Sequence, residues 1–290
     1  MGEHRNRRRY VLIGVLVLVG LVVVVVRNVW LTDSSEAVPV EAAVDRYRSE
    51  SSEPVETAPA PVGTAIAGTT VAGTALDEPT PTSIAPPDSL PEPGVYRYRT
   101  TGGESIDAIG GVNRDYPAET TITVTTRGCG VHLSWNPLEE RRDEWDLCAS
   151  DRGVELQSGG LQFHEFFGQS QIDDISCDGV VSLIDNEPVP APAVDRTCTL
   201  ADDPWNPVWQ VLDRGSRQVD GGDVAVTHAR MTVEDDDEYW ERTTADWFLA
   251  PSGLPVSVSV DTSSRSPSVV GAVVYRETYE LELESMSPLT

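Results

Sequence analysis

Two hydrophobic patterns divide the chain. From Tyr10 to Val26, seventeen residues run without a charge, nearly all Val and Leu. From Gly94 onward the recurring period is two. Tyr96 and Tyr98 alternate with Arg97 and Arg99, and Val131, Leu133 and Trp135 with His132 and Ser134. Val256, Val258 and Val260 alternate with serines, and Tyr279, Leu281 and Leu283 with glutamates. Successive side chains of a strand point to opposite faces, so this alternation predicts antiparallel strands with one covered and one wetter face. Strands are expected near 94–100, 118–126, 130–136, 142–148, 153–157, 161–167, 171–177 and 195–200. The last third reads as a meander near 217–220, 223–233, 239–249, 254–261 and 271–284. Its turns fall at Gly221-Gly222, Asp235-Asp236-Asp237 and Pro251-Ser252-Gly253.

One segment breaks the alternation. Trp205, Val208, Trp209 and Leu212 fall at i, i+3, i+4 and i+7, a single helical stripe. Asn206 suits the cap, Pro207 the first turn and Gly215 the end, which predicts a helix over 206–214. Its apolar stripe is expected to cover a concave sheet face built from Val224, Val226, Trp247 and Val256. The fold class is therefore mainly β, a curved antiparallel sheet with one short helix packed on it.

The apolar run reads as a membrane anchor. Seventeen helical residues cover about 26 Å, slightly less than a hydrocarbon core of about 30 Å. Arg27 can snorkel and Trp30 with Leu31 extends the span to 10–31. Arg5, Arg7, Arg8 and Arg9 in the 1–9 tip place that end in the cytoplasm and everything after Leu31 outside. A cleaved secretory signal fits the same length and flanks, but no A-x-A site follows Val26. With the first Cys at position 129 there is no lipobox. The expectation is an uncleaved anchor.

Residues 32–93 hold ten of the 21 prolines, no Cys and no Trp. Such a stretch cannot bury enough apolar area to offset its ordering entropy, so it reads as a disordered Pro/Ala/Thr-rich stalk. A short helix around Glu41 to Arg48 is the one element expected there. Residues 94–290 then form a single extracytoplasmic β domain.

Charge narrows the function classes. The net charge of −26 excludes a general binder of nucleic-acid backbones. All 21 basic residues are Arg, so lysine Schiff-base chemistry and a P-loop lysine are excluded. Four Cys on the outer side read as two disulfides with three possible connectivities. Chain order favours Cys129–Cys148 and Cys177–Cys198. Facing Cys129 with Cys148 would set Val131 against Asp146, whereas apolar matching prefers Val131 with Leu147 and Leu133 with Trp145. A bulge at Gly128 or Gly130 would reconcile the two.

No catalytic or metal constellation stands out. His132 and His228 sit among the polar positions of strands, and His164-Glu165 lacks the second His of a zinc helix. Gly168-Gln169-Ser170-Gln171 lacks the closing Gly of a nucleophile elbow. Asp173-Asp174 and Glu234 to Glu238 offer carboxylates for a hard cation, but read better as solvated hairpin tips.

Gly94-Val95-Tyr96-Arg97-Tyr98, Gly128-Cys129-Gly130 and Phe163-His164-Glu165-Phe166-Phe167-Gly168, behind this anchor and stalk, carry a resemblance. They look like an uncharacterised group of membrane-anchored envelope proteins of high-GC Gram-positive bacteria, which brings no activity with it. Asp246-Trp247-Phe248-Leu249 leading to Ser252-Gly253-Leu254-Pro255-Val256 is similar to a hairpin of bacterial lipoprotein-carrier and mycobacterial-type lipid-binding half-barrels. That resemblance covers some forty residues and implies a half-barrel sheet holding acyl chains under a helix. The expectation is a non-enzymatic, cofactor-free envelope domain, held in the membrane by residues 10–31, that binds a protein or an apolar lipid ligand. A structural or regulatory envelope domain and a secreted-side hydrolase are the alternatives. Ligand-facing candidates are Trp205, Trp209, Phe166 and Trp247; a cavity between them favours the binder, a solid core the structural protein.

Overall fold

A computed structural model describes residues 35–52, 90–108, 111–185, 187–201, 203–235, 238–268 and 271–289. These form one helix, α1 (Val40–Ser52), and one antiparallel sheet. Its first strands are β1 (Gly94–Ile106), β2 (Val112–Asp115), β3 (Glu119–Arg127), β4 (Gly130–Leu138), β5 (Arg141–Ser150) and β6 (Gly153–Phe166). Then come β7 (Gln169–Cys177), β8 (Val181–Ile184), β9 (Val194–Asp195), β10 (Cys198–Leu200) and β11 (Asp203–Trp205). The last five are β12 (Val208–Val219), β13 (Gly222–Glu234), β14 (Glu241–Leu249), β15 (Pro255–Ser268) and β16 (Gly271–Leu283). Across the sheet they run β11-β10-β7-β6-β5-β4-β3-β1-β16-β15-β14-β13-β12-β9, with β2 beside β1 and β8 beside β6. β1 is thus the seam between two meanders.

The alternation decides the faces. Tyr96, Tyr98, Thr100 and Glu104 of β1 are buried on one side, as are Glu277, Tyr279, Leu281 and Leu283 of β16. That side is concave, because contacts cross it between strands far apart in the order. Trp145 of β5 meets Trp247 of β14 with ring centroids 5.1 Å apart. The Tyr98 hydroxyl donates to the Pro255 carbonyl at 2.6 Å. The expected curved, half-barrel sheet is present.

Two glycine sites make the curl possible. A Cβ on Gly102 would lie 2.0 Å from the Thr278 carbonyl, and one on Gly103 2.1 Å from that of Arg114. Only glycine lets β1 pass this closely between its neighbours. Gly253, at φ +88°, brings the β14–β15 turn onto β5 and β6, where a Cβ would lie 2.9 Å from Val154.

The helix expected over 206–214 is a strand. β12 pairs with β13 from Val208↔Thr232 to Val219↔Gly222, with one irregularity between Val211 and Asp213. Trp209 and Val211 are buried in period two, so the same residues that spelled a helical stripe also spell a strand face. The decisive local signal is Asp220-Gly221, both at positive φ (50° and 74°). That two-residue hairpin turn fixes the register and demands a partner as long as the thirteen-residue β13. Among the described residues no helix covers the concave face; the opposite side of the curled sheet does.

α1 extends the short helix expected near Glu41 to Arg48, and it packs on the outside. Ala43 and Val44 cover Val95, whose side chain points away from Tyr96 and Tyr98. The lead-in is tied down as well: Val38 N donates to the Pro137 carbonyl at 3.2 Å and Glu139 N to that of Glu36 at 2.9 Å. Residues 35–52, read from sequence as stalk, therefore lie against the β domain. The anchor expected at 10–31 and most of the stalk fall outside the described residues. Among the described residues no helix is long and apolar enough to cross a membrane.

Both expected disulfides are present, Cys129–Cys148 and Cys177–Cys198. The β4–β5 register pairs Val131 with Leu147 and Leu133 with Trp145, as apolar matching prefers. No bulge is needed: Cys129 sits beside Gly128 in the tight β3–β4 turn, next to Gly130, which faces Cys148. Cys177 and Cys198 face each other directly across β7 and β10. The bridges span 19 and 21 residues, for which chain entropy gives about 3 kcal/mol each. Replacing either pair by serines is expected to lower stability by about that much in urea unfolding; a loss under about 1 kcal/mol would contradict the loop estimate.

Candidate functional site

The concave face is graded along its strands. Inward positions of β5 read Leu147, Trp145, Asp143, Arg141; those of β16 read Leu283, Leu281, Tyr279, Glu277, Tyr275. One end is apolar, the other ionic. Between the two sides of the curl lies a cavity of about 510 Å³, lined by residues of β5–β7 and β10–β16.

Phe166, Trp205, Trp209 and Trp247 all line this cavity. The structure brings these four sequence-chosen residues together, although two were expected on a helix. Trp247 stands edge-on to Trp145 at 5.1 Å and tilted against Trp209 at 6.4 Å. Leu156, Leu161, Ile175 and Met231 complete the apolar wall. At the rim, Trp205 Nε1 donates to Glu241 Oε1 at 3.3 Å, and Thr243 Oγ1 donates to the same oxygen at 2.8 Å. Burial pushes the Glu241 carboxyl above its ordinary value, outweighing those two hydrogen bonds.

The ionic end is a network that sequence reading missed. Arg141, 1% exposed, donates to both carboxylate oxygens of Glu277 at 3.0 and 3.2 Å and to both of Asp143 at 2.6 and 2.7 Å. The Tyr116 hydroxyl donates to Glu277. Beside it, Glu104 accepts from Arg114 at 3.0 Å and from the Tyr275 hydroxyl at 3.0 Å. His164 Nδ1 lies 3.4 Å from Glu104 Oε2. Burial alone would raise the Glu104 carboxyl, but His164, Arg141 and Arg114 together outweigh it and hold it below the ordinary value. For Arg141 burial pulls down, while Asp143 and Glu277 more than compensate. Tyr116, Tyr275 and Tyr279 are pushed well above the usual phenol value, chiefly by burial. Charges buried in such number are stable only when paired like this.

The other candidates fall elsewhere. His132 contacts Asp146 at 2.8 Å, and His228 contacts Asp246 at 2.7 Å and stacks on Phe248. Neither histidine lines the cavity. Gln171 donates to both oxygens of Asp173, and Asp236 and Asp237 fall outside the described residues. Among the described residues, no cluster of three or more His, Cys, Asp or Glu is arranged to hold a metal ion. No family model, curated protein or solved structure matches the chain.

Proposed function

We propose that the chain is a membrane-anchored, extracytoplasmic domain that holds an acyl-chain ligand between the two sides of its curled sheet. The observation that carries this reading is the cavity. Its volume of about 510 Å³ falls within the usual range of ligand pockets, about 300–1,000 Å³. A purely structural sheet pair would close at crystal-like density instead. The wall suits a chain of methylenes: flat Trp faces at one level and aliphatic side chains at the next, with the polar network at one end. Two disulfides agree with an oxidising compartment, and the arginines preceding the apolar run agree with an outward-facing domain. The hydrolase alternative gains one juxtaposition, His164 of the cavity wall beside the buried Glu104. Arg114 and Tyr275 already occupy that carboxylate, and among the described residues no hydroxyl or thiol is hydrogen-bonded to the imidazole.

The test uses the full-length chain in non-ionic detergent, titrated with a conjugated-tetraene fatty acid that accepts energy from tryptophan. Saturable transfer at one probe per chain is expected. Ala245 is buried on the cavity wall between Met231 and Val260, so Ala245→Phe projects a ring into the cavity. It is expected to weaken binding about tenfold or more, roughly 1.4 kcal/mol. Equal affinity in the two proteins would mean that the probe binds elsewhere.

A further inference from the structure

Resting on that reading, the structure points to the chemical class of the ligand's head. Three arginines line the cavity: Arg141, Arg196 and Arg265. Arg141 is matched by two carboxylates, and Arg265 is exposed. Arg196 is neither. It lies between β9 and β10, where the chain crosses from one edge of the sheet to the other, and is 5% exposed. Its Nη2 donates to the Gly179 carbonyl at 2.5 Å, while its Nε is buried without a partner. No carboxylate of the described residues lies within ion-pair distance of the guanidinium, in a chain with 47 acidic side chains. Burial pulls its basicity down with no anion opposing it.

A buried guanidinium cannot shed its proton, so it needs an anion or pays the full desolvation cost. A second orphaned donor lines the same cavity, since Trp247 Nε1 is also buried without an acceptor. Both groups can donate and neither can accept. We propose that Arg196 is the anchor for an anionic head group on the acyl-chain ligand, a carboxylate or a phosphate, whose tail lies along Trp209 and Trp247. Guanidinium geometry suits both anions through paired donors. Two cavity-lining acids that no described cation pairs, half-buried Glu241 and buried Asp173, are hydrogen-bonded by Trp205 and Thr243 and by Gln171; neither lies within ion-pair distance of Arg196, which leaves this role to the ligand.

The experiment compares heads on one tail. Full-length protein in non-ionic detergent is titrated with the tetraene fatty acid and with its neutral methyl ester, and lysophosphatidic acid competes against each. The acid is expected to bind about tenfold or more tightly than the ester, the scale of one charge-assisted hydrogen bond. Arg196→Gln should bring the acid down to the ester's affinity and leave the ester unchanged, which also shows that the variant is folded. Arg196→Lys should keep part of the preference. Competition by lysophosphatidic acid as well as by the fatty acid assigns the site to anions generally; competition by one alone names the head. Equal binding of acid and ester by the unaltered protein, or an undiminished preference in Arg196→Gln, would overturn the anchor while leaving the cavity reading intact. Binding of neither probe would overturn both.

Discussion

Arg141→Met is expected to destabilise the domain by about 3–5 kcal/mol, the usual cost of removing one partner from a buried ion pair. Arg141 is the only described cation hydrogen-bonded to Glu277 and Asp143, and four hydrogen bonds vanish with it. Among the described residues, Glu277, 4% exposed, would retain only the Tyr116 hydroxyl as a donor. The paired change Arg141→Met with Glu277→Gln should recover part of the loss, because the uncompensated charge is gone. Urea unfolding of the full chain, followed by tryptophan fluorescence, measures both. The pH dependence has a definite sign. Glu104 is held below its ordinary value, so its contribution is present above about pH 4.3 and is lost as pH falls through the folded value. A loss under about 1 kcal/mol for Arg141→Met would mean that the network carries no net stability.

Trp135→Ala is expected to cost a similar 3–5 kcal/mol, for a different reason. Trp135 is 1% exposed and packed on every side. Tyr116 meets it edge-on at 5.3 Å, Tyr279 lies tilted at 4.4 Å, and its Nε1 donates to Thr120 Oγ1 at 3.1 Å. Truncation leaves a hole within close packing, since Trp135 itself does not line the cavity. Trp247→Ala removes the same ring from a wall that already faces empty space, so its cost should be clearly smaller. Comparing the two by urea unfolding separates core from cavity wall. Equal losses would imply that Trp247 sits in close packing and that the cavity is filled in solution.

The alternation carried most of the fold because it reports which side of a strand meets the core. Tyr96, Tyr98, Leu133, Trp135, Leu281 and Leu283 are all buried as their phase requires. It failed at 206–214, where Trp205, Val208, Trp209 and Leu212 fit a helical stripe and a neighbouring strand supplied the deciding hydrogen bonds. The strands β2, β8 and β11 are three or four residues long, too short to show a period. The ionic network had a legible trace. Glu277 stands in phase with Tyr279, Leu281 and Leu283, and Glu104 in phase with Tyr96 and Tyr98, so charges at inward positions were visible along single strands. Their partners were not, since Arg141 is 136 residues from Glu277 in the chain and only the curl unites them. Arg196 left no trace at all, because its character comes from having no carboxylate neighbour among the described residues.

The most direct measurement of the central claim is native mass spectrometry of the full-length chain released from membranes in mild detergent. The unaltered protein is expected to carry a mass increment of one acyl lipid per chain, released on unfolding. Ala245→Phe, with its ring in the cavity, should carry markedly less while keeping both disulfides. The same increment in both proteins, or none in either, would contradict a ligand held between the two sides of the sheet.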